Sequence, residues 1–247
     1  MKLKIKDFED VMRKATLNYV IPSVQLKFKN KKIISNMMTA GMDSVIILSL
    51  NNNVLDIPAN ESVDFNFSEP NQYIKPFIDL IDESMADIKI EDERIKLTTA
   101  KKQKMKFNFS SPDFVSTYNG DQPDIKNWFF EKEIDEELMD KFIKIKKVSS
   151  KFGKIYFSIK DKKLFIEATD KQNKFSNSMK FDLGDVDHKD FDLCFNFTNI
   201  NALLSLISDT FEDFEIKLHI TDNEEGGMLL FKNTDGSEYY YFVSKND

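Results

Sequence analysis

Apolar and polar positions alternate with period two over many short stretches of this chain, and the period lengthens to a helical one in four places. Leu26, Phe28 and Ile33 flank the polar turn Lys29-Asn30-Lys31-Lys32. Phe157, Ile159, Leu164 and Ile166 flank a second such turn, Lys160-Asp161-Lys162-Lys163. Both stretches read as hairpins. Asp64-Phe65-Asn66-Phe67-Ser68 leads into Ile74, Phe77, Ile78 and Ile81, and Cys194-Phe195-Asn196-Phe197-Thr198 leads into Leu203, Leu204 and Ile207. Both read as a strand that passes into an amphipathic helix. Helix-like runs, Asp7–Tyr19 and Asp135–Ser149, precede the two hairpins, and Asp87–Ile90 returns as Glu215–Leu218. These matches fall in one order at a near-constant offset, the signature of a tandem repeat.

Each half then reads as strand, helix, three strands, strand, helix, three strands. The fold class is α+β, with helices on one face of antiparallel sheets. Lys2–Lys6 is expected as a strand and Asp7 as the cap of the next helix, which buries Phe8, Val11, Met12 and Ala15. Pro70 suits a first helical turn, and Pro76 predicts a kink or a late start. Ser110–Asn127 holds Pro112, Asn119-Gly120 and Pro123 and lacks periodicity. The expected domains are therefore 1–111 and 128–247, joined by a connector at 112–127. In the second half, Phe175–Phe181 is expected as a strand, and Gly184–Asp190 as a turn-rich link to the strand Phe191–Phe197.

Composition narrows the chemistry. Hydrophobic residues make up 41% of the 247, with 23 Phe, enough for two cores. No apolar run approaches the roughly 20 residues of a membrane span, so no membrane partner is expected. The alternating start Met1–Lys6 reads as a strand and not as a signal peptide. A single cysteine, Cys194, excludes an internal disulfide framework and fits an intracellular, reducing compartment. Two histidines, His188 and His219, stand far apart, and no Cys/His ligand set, phosphate-binding glycine loop or nucleophile elbow is present. The carboxylates around His188, and Asp222–Glu225 before Gly226-Gly227, read as solvated turns. No enzyme activity, metal or cofactor is expected. The net charge of −7 argues against a general basic surface and leaves room for a local basic stripe.

One such stripe lies on the helix after Asp135. Leu138, Phe142, Ile145 and Val148 form its apolar side, and Lys141, Lys144, Lys147 and Lys151 recur at helical spacing beside it, with Lys146 near. Alone, the stripe reads first as a solvated helix face, and only together with the repeat as a surface toward DNA. Lys101-Lys102-Gln103-Lys104 with Lys106 forms a second basic cluster, read either as a contact with DNA or as a guard on an exposed strand edge.

The repeat resembles a DNA sliding clamp of the proliferating cell nuclear antigen type, and most closely the clamps of T-even-like phages. The paired strand-to-helix transitions, the two charged hairpins, Leu183-Gly184-Asp185 and the long connector carry the resemblance, which covers the whole chain. The resemblance implies a homotrimeric, six-domain ring that encircles duplex DNA and tethers a replicative DNA polymerase, loaded by a clamp-loader ATPase. The helices would line the hole, with Arg13, Lys14, Lys75, Lys141, Lys144, Lys146, Lys147 and Lys151 toward DNA. Subunits would pair edge strands carrying Met105, Phe107 and Phe109 on one side and Phe175, Met179 and Phe181 on the other. Partner peptides would dock on Met42, Val45, Phe114, Val115, Tyr241, Phe242 and Val243. If viral, the protein would act in the cytoplasm of the host cell. Two other readings stay open: a monomeric DNA-binding processivity factor of the same fold, and a viral structural protein with no role on DNA.

Overall fold

A computed structural model describes every residue except 59–60, 174–175, 222–225 and 245–247. Phe175 and the turn at 222–225 thus lie outside the described residues. The chain forms two compact units, Met1–Ala40 with Val45–Gly120, and Gly41–Ser44 with Asp121–Asp247.

The first unit runs β1 (Lys2–Lys4), α1 (Ile5–Ala15), β2 (Ser23–Lys29), β3 (Lys32–Met38), β4 (Ser44–Asn51) and β5 (Val63–Ser68). Two single helical turns follow, α2 (Pro70–Tyr73) and α3 (Lys75–Ile78), then β6 (Met85–Glu91), β7 (Arg94–Thr98) and β8 (Lys104–Asn108). The second unit repeats the plan: β9 (Phe130–Glu133), α4 (Glu136–Ser149), β10 (Lys154–Lys160), β11 (Lys163–Ala168), β12 (Met179–Asp185), β13 (Phe191–Asn196), α5 (Phe197–Leu206), β14 (Phe214–Ile220), β15 (Gly227–Asn233) and β16 (Glu238–Val243).

Strand order shows the repeat directly. The first unit pairs its strands as β1-β6-β7-β8 and β5-β2-β3-β4. The second pairs the corresponding strands as β9-β14-β15-β16 and β13-β10-β11-β12. Alternation decides which side chains face inward. Leu3, Ile88, Ile95, Leu97 and Phe107 face one core; Ile216, Leu218, Leu229, Phe231, Tyr240 and Phe242 face the other. In the first core Phe65 meets Phe8, Phe28, Phe67 and Phe109 at centroid distances of 5.0 to 6.3 Å. Both charged hairpins close on two residues of positive φ, Asn30-Lys31 and Asp161-Lys162, the geometry that matches the twist of paired strands.

Several expectations need correction. The first helix begins at Ile5, so Asp7 lies inside its first turn and Lys4 occupies the cap position without a side-chain cap. The helix after Phe67 is broken into α2 and α3, because Pro76 has no N–H to continue the ladder. The break leaves Ile74 and Ile78 buried but turns Phe77 outward, 48% exposed. Leu183-Gly184-Asp185 belongs to β12 and not to a turn. Leu164 pairs with Gly184 and Phe165 with Asp182, so Leu183 is the extra residue of a bulge, and Gly184 adopts φ 124° there. The connector is ordered at its start: Met38 N–H donates to Ser116 O and Tyr118 N–H to Asn36 O, both at 3.0 Å, extending β3.

Candidate nucleic-acid and partner interfaces

Helix α4 carries the main cationic stripe. Asp135 caps it by accepting from Leu138 N–H at 2.7 Å, and that bond holds its carboxyl below the usual range. Leu138, Met139, Phe142, Ile145 and Ser149 are buried, which turns Lys144, Lys147 and Lys151 outward. The other two lysines of the stripe face sideways. Lys141 donates to Asp182 O at 2.9 Å and pairs with Glu137 at 2.7 Å. Lys146 donates to Ser205 Oγ on α5 at 2.8 Å. Lys144 pairs with Asp140 at 2.5 Å, whereas Lys147 and Lys151 make no ion pair among the described residues. In the first unit Arg13 donates to Asn18 Oδ1 at 3.2 Å, Lys14 pairs with Asp10 at 3.5 Å and Lys75 with Asp79 at 2.5 Å. The helical cations thus differ in what they can offer a phosphate, and Lys147 and Lys151 offer most.

Of the expected subunit-contact residues, Met105 and Phe107 lie on β8 with Phe109 just past its end, and Met179 and Phe181 lie on β12, which begins at Met179. β8 ends one strand order and β12 ends another. Met105 and Phe109 are half-buried and Phe107 is buried; Met179 and Phe181 are half-buried. Sequence reasoning missed a neighbour of β8. Tyr73 on α2, Phe77 on α3 and Leu80 just past α3 are 62%, 48% and 66% exposed. Phe77 meets Phe107 edge-on with ring centroids 6.0 Å apart. Pro76 was the available signal, because a break there rotates Phe77 out of the buried stripe.

The residues proposed for partner peptides divide between the units. In the first, Val45 is half-buried, Val115 buried and Phe114 76% exposed on a 3₁₀ turn at Pro112–Phe114. In the second, Met42 is 68% exposed and Val243 38%, whereas Tyr241 and Phe242 are buried. A buried polar cluster fixes the Met42 segment. Asn199 Nδ2 donates to Asp43 Oδ1 at 2.9 Å and to Ser44 Oγ at 2.7 Å, and Asn196 Nδ2 donates to Asp43 Oδ2 at 3.3 Å. Val243 N–H donates to Asp43 O at 2.9 Å, so the exposed Met42 and Val243 are held near each other. The loop at 186–190 has a structural use. Asp190 accepts from Asp161 N–H at 2.9 Å and Asp187 pairs with Lys162 at 3.1 Å, bracing the hairpin. Among the described residues no cluster of His, Cys, Asp or Glu has the make-up of a metal site.

Two four-stranded antiparallel sheets per unit, repeated in tandem with helices against them, define the fold of the DNA sliding clamps. Among solved structures, the proliferating cell nuclear antigen of A. fulgidus, determined with the C-terminal region of FEN-1, matches with a TM-score of 0.64 at 12% identity. That match covers 100% of this chain and 98% of the other. The proliferating cellular nuclear antigen of Entamoeba histolytica matches with a TM-score of 0.63 at 15% identity, over 99% and 98% of the two chains. The DNA polymerase III β subunit of Pseudomonas aeruginosa matches with a TM-score of 0.67 at 12% identity, over 100% of this chain and 66% of its own. No protein-family model and no curated protein matches the sequence.

Proposed function

We propose that the protein is a DNA sliding clamp, a non-enzymatic processivity factor that encircles duplex DNA as a homotrimer and tethers a replicative polymerase. The observation that carries this reading is the tandem clamp topology over the whole chain, with near-complete coverage of two solved antigen-type clamps. A two-unit subunit needs three copies to complete six units. The contact would be head-to-tail, β8 of one copy beside β12 of the next, with Tyr73, Phe77 and Leu80 covered by the joint. Duplex DNA would pass the outward cations of α4, contacts that carry no sequence information and so permit sliding. A clamp-loader ATPase would open the ring. Because the A. fulgidus antigen was solved with a C-terminal region of FEN-1, we assign the exposed Met42 and Val243 of the second unit to the docking of a partner's peptide. The nearest type would be the T-even-like phage clamps, with the host cytoplasm as compartment.

Light scattering over a concentration series, combined with retention on nicked circular DNA, tests the proposal. A mass near three times 28.8 kDa, with retention that linearising the DNA abolishes, is the expected result. A monomer at every concentration whose retention ignores DNA topology would replace the ring with a monomeric DNA-binding factor.

A further inference from the structure

The solvent face of β1-β6-β7-β8 is unlike the rest of this acidic chain. Lys89 stands opposite Lys96, and Lys96 opposite Lys106, a row of like charges stepping about 4.8 Å from strand to strand. The adjacent row runs Lys2, Asp87, Thr98 and Lys104. Lys4 extends the face on β1, and Arg94 stands opposite Glu91. These rows hold seven cations and two carboxylates, in a protein whose sequence has 35 basic and 42 acidic residues. Like charges directly opposite on a ladder destabilise it, so the row does not serve folding.

Both carboxylates are already engaged. Asp87 pairs with Lys2 at 2.8 Å. Glu91 accepts from Lys96 at 2.6 Å and Arg94 at 2.7 Å and lies 3.3 Å from Lys89. The hydrogen bond from Lys96, then that from Arg94, pulls the Glu91 carboxyl down to about 2. Lys104 and Lys106 are exposed and make no ion pair among the described residues. The face therefore has an unspent positive excess.

Its chemistry selects among polyanions. The rows contain no aromatic side chain, so the face lacks the stacking platform on which single strands bind. Met85 is the only apolar member, too little to anchor an acidic peptide. Lys2 and Lys104 close one row at its two ends, three strand spacings or about 14 Å apart. That is close to the ~12 Å width of the B-DNA major groove, whose margins are phosphates. Lysines act as point charges on flexible stems and need no fixed acceptor geometry.

We propose that this sheet face is a second DNA-contact surface, separate from the helices, which holds the phosphodiester backbone of duplex DNA without reading its sequence. It does not depend on ring closure. The test measures binding of the full chain to a short labelled duplex by fluorescence anisotropy over a salt series. A single strand of the same length and a polyglutamate peptide are run in parallel. Lys89→Gln with Lys106→Gln should lower the salt slope of duplex binding by about 1 to 2. Lys147→Gln with Lys151→Gln, on and just past the end of α4, serves as the comparison. Glu91→Gln should tighten duplex binding by releasing three cations, a gain that misfolding does not produce. An unchanged slope in the double variant together with no gain in Glu91→Gln overturns the proposal. Tighter binding of the single strand or of polyglutamate than of the duplex overturns it also. Retention on circular DNA reads encirclement separately, so a chain that fails that assay but keeps Lys89- and Lys106-dependent duplex binding removes the ring and leaves this surface standing.

Discussion

The sheets β1-β6-β7-β8 and β9-β14-β15-β16 occupy the same place in the two units, share one strand order and expose opposite chemistry. The first aligns lysines with lysines. The second mixes signs: Glu133 stands opposite Glu215 and Glu215 opposite Lys232 in one row, and Glu131 faces Lys217 in the next. Lys217 pairs with Glu131 at 2.6 Å and Lys232 with Glu215 at 2.8 Å. Those rows end in Tyr239 and Tyr241, whose rings stack at 6.3 Å. The inward positions of both sheets remain largely apolar, with Glu238 of β16 buried and accepting from Tyr240 Oη at 2.8 Å. Topology is thus held by the inward half of each strand, while the outward half is free to follow separate tasks.

The largest effect should come from breaking one core at a time. Phe65→Ala in the first unit and Phe231→Ala in the second each remove a fully buried ring and should cost about 3–5 kcal/mol. If the units are separately stable, calorimetry will show each variant lowering one transition and sparing the other. A single shared transition would mean that the units fold as one. Next, Asp43→Ala strips two amides in the second unit of their carboxylate acceptor and should lower stability by about 1–3 kcal/mol in urea melts.

The first helix of each unit sharpens the contrast further. Asp135→Ala removes the side-chain cap of α4 and should cost about 1 kcal/mol, whereas Lys4→Ala, at the uncapped start of α1, should fall within about 0.5 kcal/mol of zero. Equal losses would show that capping does not distinguish the two. The smallest effect is pH-dependent. Glu91 titrates at about 2 in the fold against an ordinary 4.5, so its charged form is the one stabilised. Its contribution is fully present above pH 4.5 and lost as pH falls toward 2. Urea midpoints taken across that window should fall less steeply for Glu91→Gln than for the parent chain. Parallel curves would mean that the three cations gain nothing from Glu91.

Much of the fold was legible because the inward pattern is local. The hairpins at Lys29–Lys32 and Lys160–Lys163, the helix that starts after Asp135 and the strand Phe214–Ile220 all followed from period and turn chemistry. The helix after Phe67 was harder. Its apolar spacing described one continuous stripe, but Pro76 broke it, and Phe77 became surface beside β8. The bulge at Leu183 was hidden because Gly184 reads as a turn unless its partner strand is known. For the α4 lysines, spacing supplied the stripe but not the partners: Lys141 and Lys146 are engaged by groups more than forty residues away.

By itself the sequence determined the tandem repeat, the α+β class and the resemblance to clamps, since inward apolar periodicity and turn residues are written in neighbouring positions. Only the tertiary structure decided which charges add and which cancel. Lys89, Lys96 and Lys106 are separated along the chain, and their alignment depends on the register of β6, β7 and β8. Register is set by long-range pairing, so the sign of a sheet's face is invisible until the strands are laid side by side.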